Sequence, residues 1–231
     1  MSTKVIVSYD GTANEDDALA LGRVFARAGA EVSLAYVRHT HEADSARESL
    51  VQSEAEQLLE RGAELLGAPS AGRHIVTDRS TPEGLRALAV REGADVIVFC
   101  SDSHTAKGHI AVGNSAERLL EGGHTAIAIA PVGFAIRRPA IKRIVAVGDG
   151  DGGARETAAA LASALGATVS PVANGDTDLL VFDSRAEAEH GQVSLSSAAS
   201  HLIEVARCPV LVVPRGVAVP FDSAHAIQTA A

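Results

Sequence analysis

Residues 94–132, ADVIVFCSDSHTAKGHIAVGNSAERLLEGGHTAIAIAPV, hold one complete turn of a parallel α/β sheet. Residues 96–99 are a short β-branched apolar run, the length of a buried strand. A polar, glycine-containing loop follows over 100–113. Asn114 stands three residues before Glu117, which predicts an N-cap with its capping-box partner, and Ala116, Leu119 and Leu120 supply the apolar face of the helix. A second apolar run, 126–130, stops at Pro131. In such sheets ligands bind where loops leave the carboxyl ends of strands, and free N–H groups at a helix start attract phosphate.

The stretch occurs twice. Laid without a gap over 177–216, residues 94–133 give ten identities in forty positions, among them Asp95/Asp178, Phe99/Phe182, Ser101/Ser184, Gly108/Gly191, Leu119/Leu202 and Pro131/Pro214. The chain therefore reads as an internal duplication.

Length and composition agree with two small domains. The chain has 231 residues, 46% hydrophobic and only 3% aromatic, so the core must be built from Ala, Val, Leu and Ile, which suits helices on a parallel sheet. A formal charge of −9 argues against nucleic acid or an anionic membrane surface as the main partner. No long apolar run reads as a membrane span, and MSTKVIVSYD enters a strand at once, unlike a signal peptide. Cys100 and Cys208 occupy different contexts and form no disulfide framework. These features predict a cytoplasmic setting.

Outward from the central stretch, residues 4–9 predict a first strand ending at Asp10-Gly11. Asn14 is placed to cap a helix with Ala18, Leu21, Val24 and Phe25 on one face. Residues 32–37 predict a second strand, 43–66 a long helix, 74–77 a third strand, and Ser80-Thr-Pro-Glu83 opens a capped third helix. The first copy is thus a doubly wound β-α-β-α-β-α-β-α-β unit. In the second copy, strand 144–148 with Asp149-Gly150, a helix over 154–165 and strands near 169 and over 178–182 match the first at offsets of 139, then 137, then 83. The drop corresponds to a lost helix, strand and helix. The expected organisation is a full domain over 1–133, a linker over 134–141, a shortened domain over 142–216 and a loose tail over 217–231.

These residues resemble the universal stress protein family in its tandem-domain form, with a shortened, degenerate second domain. The likeness rests on VIVSYDG, on GNSAERLL, and on the endings AIAIAPV and RCPVLVVP, and covers nearly the whole chain. It implies two Rossmann-like domains in tandem, a stress-response regulatory role, and ATP or another adenine nucleotide bound in the first domain, with no metal beyond nucleotide-bound Mg. The family motif is Gly, two residues, Gly, nine residues, Gly, then Ser or Thr. Anchored on Gly113, it puts Cys100 and Ser103 at the first two glycine positions and Asn114 at the last. Side chains there resist the close backbone approach that glycine allows.

The resemblance makes Asp10, Gly11 and Val37 the adenosine end of a site, and Cys100, Ser101, Ser103, Gly108, Gly113, Asn114 and Ser115 its phosphate end. His104, Lys107 and His109 add positive charge to that loop. His39 and His41, near Glu42 and Asp44, match no strong metal-ligand spacing. No nucleophile–base–orienter set, Walker lysine or GxGxxG fingerprint is present, so the chain reads as a binding protein and not an enzyme. The alternative to a nucleotide-binding module is an interaction or scaffold protein of the same fold.

Three structural expectations follow. The closing strands, 126–130 and 209–213, should lie side by side and join the copies as an intramolecular pseudo-dimer, with a further homodimer left open. Helix 43–66, or a second chain, should cover the shortened copy. Any nucleotide should bind at no more than one site per chain, in the first copy, because the second-copy loop carries Asp183, Glu187 and Glu189 against Arg185 and His190 and has Ser196 in place of Gly113.

Overall fold

A computed structural model describes residues 2–39, 44–137, 140–148 and 152–222. The expectations that rest on His41, Glu42, Asp149-Gly150 and 223–231 fall outside the described residues. The elements run β1 (Lys4–Ser8), α1 (Glu15–Arg27), β2 (Glu31–Arg38), α2 (Ser45–Leu66), β3 (Gly72–Thr77), α3 (Thr81–Glu92), β4 (Val96–Cys100), α4 (Asn114–Leu120) and β5 (Ala126–Ala130). They continue through α5 (Phe134–Arg137), β6 (Arg143–Val147), α6 (Gly153–Leu165), β7 (Thr168–Ser170), β8 (Leu179–Asp183), α7 (Ser197–Val205) and β9 (Val210–Val213).

All nine strands form one mixed sheet in the order β3-β2-β1-β4-β5-β9-β8-β6-β7. Both faces are covered, so the central strands are apolar throughout instead of alternating. Strand β5 shows this: Ala126, Ala128 and Ala130 pack in the layer with α1, α2, α5 and α6, while Ile127 and Ile129 pack with α3, α4 and α7.

Strand pairing is parallel except where β5 meets β9, which run antiparallel with Ala128 opposite Leu211. The two closing runs are therefore neighbours, as expected. Loop hydrogen bonds also repeat at the 83-residue offset. Ser101 Oγ donates to the Ala130 carbonyl at 2.7 Å, and Ser184 Oγ to Val213 at 2.7 Å. The Gly108 N–H donates to Val132 and the Gly191 N–H to Arg215, both at 2.8 Å.

Between β7 and β8 lie eight residues, 171–178, where the first half has α2, β3 and α3. The loss has a visible consequence. Leu119 on α4 is 2% exposed beneath α3, whereas its counterpart Leu202 on α7 is 44% exposed, and among the described residues no helix stands where α3 would. Helix α2 does not supply that cover. It packs on α1, β2 and β3, at the opposite end of the sheet from β7.

Local chemistry corrects four further expectations. Gly113, not Asn114, is the N-cap of α4, and no side chain caps that helix. Ser80 caps α3 without a side-chain bond, and Glu83 turns to Arg86 at 2.8 Å instead of closing a capping box. The linker contains α5. Residues 217–222 are packed: the Val219 N–H donates to Thr157 Oγ1 at 2.9 Å, and Phe221 stacks on Phe25 with ring centroids 5.5 Å apart. Burying an aromatic ring outweighs the Pro, Ala and Ser content that suggested a loose tail.

Candidate functional site

Strand order places the site. Strands β1 and β4 are parallel neighbours, and the order of winding reverses between them, with β2 and β3 added on one flank and β4 and β5 on the other. In doubly wound sheets the loops that leave such a reversal frame the ligand crevice. Asn14 ties the two loops together: its Nδ2 donates to the Asp102 carbonyl at 3.2 Å. To reach it, Asn14 adopts φ 73, a left-handed conformation that Asn tolerates better than most residues.

The Gly11 backbone favours glycine. It has φ 79, and a Cβ there would meet Leu58 Cδ1 at 2.7 Å. Asp10 is exposed, with Oδ1 accepting from the Thr12 N–H at 3.0 Å. Beside it sits Glu15, which the sequence reading missed. Glu15 is 5% exposed, and its carboxylate accepts from the Asp10 N–H at 2.7 Å and from the Gly11 N–H. Burial, and then the Asp10 charge, push the Glu15 carboxyl up to about 8, and the two amides only partly offset this. The acidic run after Asn14 was its one sequence signal. Asp17, two residues on, is also buried and accepts from the Gly133 N–H at 2.8 Å and the Ala135 N–H at 2.7 Å, pinning the segment after β5 to α1.

The remaining candidates divide into crevice and scaffold. Val37, near the end of β2, is buried against α3, where a Cβ on Gly84 would lie 3.0 Å from it. Cys100 ends β4, and burial followed by the Glu15 and Asp10 charges raises its thiol to about 12, leaving it protonated and unreactive near neutral pH. Ser101 is buried and its hydroxyl is committed to β5. Ser103 is exposed, 3.1 Å from His104 Nδ1. Gly108, at φ 80, shapes the loop through its bond to Val132. Gly113, Asn114 and Ser115 form the first turn of α4, and a Cβ on Gly113 would meet nothing within 4 Å.

The sequence profile of the universal stress protein family matches residues 1–131. The chain belongs to that family. Its structure is similar to that of a universal stress protein from Archaeoglobus fulgidus DSM 4304, with a TM-score of 0.72 and 15% identity, covering 94% of this chain and 100% of that one. A functionally unknown protein from Pseudomonas aeruginosa PAO1 follows with a TM-score of 0.60, 13% identity and 93% of each chain covered. A putative universal stress protein from Pseudomonas aeruginosa UCBPP-PA14 gives 0.58 and 14%, covering 93% and 94%. Among curated proteins no relative matches.

In this universal stress protein the glycine-motif positions fall on a strand end, Cys100, and an exposed loop residue, Ser103. Neither adopts a left-handed conformation. Of the loop cations, Lys107 and His104 are exposed, while His109 meets Arg207 of the second half. In the second half Asp183 stands where Cys100 stands, and its Oδ1 accepts from the Ala154 N–H at 2.7 Å, filling the start of α6 with an internal carboxylate. Ser196 replaces Gly113 and caps α7 through the Ala199 N–H at 3.2 Å. Among the described residues no group of His, Cys, Asp and Glu could hold a metal ion, and no helix is long and apolar enough to cross a membrane. His39 lies 3.3 Å from the Asp78 carbonyl and 3.4 Å from Thr81.

Proposed function

We propose that this universal stress protein is a regulatory module that holds one adenine nucleotide per chain in the β1–β4 crevice. The adenosine lies by Asp10, Gly11 and Val37, and the phosphates lie toward the Gly113–Asn114–Ser115 turn. The observation that carries the reading is the Asn14-to-Asp102 tie, which brings the two loops of the strand-order reversal into one crevice. The Asp183 carboxylate, which accepts from the Ala154 N–H at the start of α6 and repels a second anion, favours the first half over the second. Any magnesium arrives with the nucleotide. In the same reading, residues 1–133 and 142–216 are tandem domains that form an intramolecular pseudo-dimer through β5 and β9, a homodimer of chains remains compatible, and the setting is cytoplasmic.

Native mass spectrometry of the purified chain and calorimetric titration with ATP test this. One nucleotide per chain is expected, and two equivalent sites or no heat would overturn it. A second reading, a scaffold without nucleotide, is favoured by one observation: Glu15 already takes the Asp10 and Gly11 amides. Absence of nucleotide together with specific capture of a protein partner would support that reading.

A further inference from the structure

A cleft of about 920 Å³ is lined by none of the residues named above for the β1–β4 crevice. It lies where the loops before α4 and α7 face each other, over the β5–β9 seam. Its lining is built from repeat-related pairs: Val112 with Leu195, Leu120 with Ile203, and Glu121 with Glu204. Each pair is separated by the same 83 residues that relate Ala128 to Leu211, so the cleft inherits the local two-fold relationship of the seam. The volume is that of a pocket for a small organic molecule.

Charge names the class of ligand. The lining holds five carboxylates, with Glu117, Glu187 and Glu189 beside the paired Glu121 and Glu204, against the single guanidinium of Arg185, leaving four negative charges. Glu189 accepts from Gln192 at 3.0 Å, and Glu204 lies 3.8 Å from His201. No described cation pairs with Glu117, Glu121 or Glu187. Carboxylates gathered in a concave site raise the local potential for cations above that of an open surface.

We propose that this seam cleft binds a flexible organic dication of the alkyl-diamine or polyamine class. The apolar stem lies on the partly exposed Val112 and Leu195, beneath which Leu120 and Ile203 are buried, and the ammonium ends meet the two-fold-related Glu121 and Glu204. A pseudo-symmetric site matches a ligand with a charge at each end. The assignment is independent of the nucleotide reading, because the two sites share no residue.

The test is calorimetric titration of the full chain with 1,8-diaminooctane, spermidine and octylamine at low ionic strength. Saturable binding of both polyamines at one per chain is expected, with the singly charged octylamine at least about tenfold weaker. The E121Q/E204Q double variant should weaken binding by about tenfold with an unchanged melting temperature, whereas E54Q/E60Q, on the far helix α2, should leave affinity within about twofold. Heat that does not saturate, or equal losses in both variants, would show diffuse surface attraction and overturn the site. An arginine-rich peptide that binds at one per chain while the diamines do not would overturn the small-molecule assignment in favour of a protein partner.

Discussion

Ala128 pairs with Leu211, the residue 83 positions later that fills the same place in the repeated stretch. An antiparallel pairing centred on two equivalent residues generates a local two-fold relationship within a single chain. It also removes the open edge that β5 and β9 would each present alone.

The missing counterpart of α3 makes equivalent leucines unequal. Leu119→Ala should cost about 3 kcal/mol, the usual penalty for emptying a filled core position. Leu202→Ala should cost less than about 0.5 kcal/mol, because that side chain is already half in water. Urea denaturation of both variants measures the contrast, and equal losses would mean that α7 is covered.

Residues 140–231 expressed alone should aggregate. The fragment exposes the β9 edge as well as Leu202 and Val205 on α7. Size-exclusion chromatography reads the outcome, and a soluble monomer with cooperative unfolding would count against dependence on the first half.

Asp17 clamps two backbone N–H groups from inside the core. Asp17→Ala leaves the Gly133 and Ala135 donors unsatisfied and should cost about 2 kcal/mol, lowering the melting temperature by about 4–8 °C. Asp17→Asn, which retains one acceptor oxygen, should recover part of this. Differential scanning calorimetry separates the three proteins.

Glu15 makes stability depend on pH. Its folded value, about 8, lies above its ordinary value of 4.5. Between these the folded chain holds a proton that the unfolded chain has lost, so stability should fall as pH rises from about 4.5 to about 8 and then level off. Glu15→Gln removes this contribution. Thermal melts from pH 5 to 9 should show the variant gaining on the parent protein as pH rises, and parallel curves would refute the assignment.

Gly113 offers a clean probe of nucleotide binding. Its φ is −74 and no atom occupies the Cβ position, so Gly113→Ala should leave stability and ATP binding nearly unchanged. Gly113→Glu should keep the melting temperature and abolish the ATP heat, because a carboxylate then faces the phosphates. ATP binding that survives Gly113→Glu would move the site elsewhere.

The amino-acid sequence alone determined the fold class and most of the element order. These rest on local chemistry: apolar runs such as 126–130, punctuation such as Pro131, and matched residues such as Ser101 and Ser184. The side-by-side closing strands were legible too, because two open edges in one chain seek each other. Other features depended on where distant segments meet. Glu15 and Asp17 show in the sequence only as an acidic run at a helix start, and the approach of the 133–135 backbone and the Asp10-Gly11 turn buries them. Ser101 read as a ligand candidate until β5 took its hydroxyl. Phe221 read as tail until Phe25 lay beneath it. The seam cleft belongs to neither half, so no local pattern could announce it. Periodicity and spacing report a residue's sequence neighbours, whereas burial, charge and hydrogen-bond supply are set by its neighbours in space.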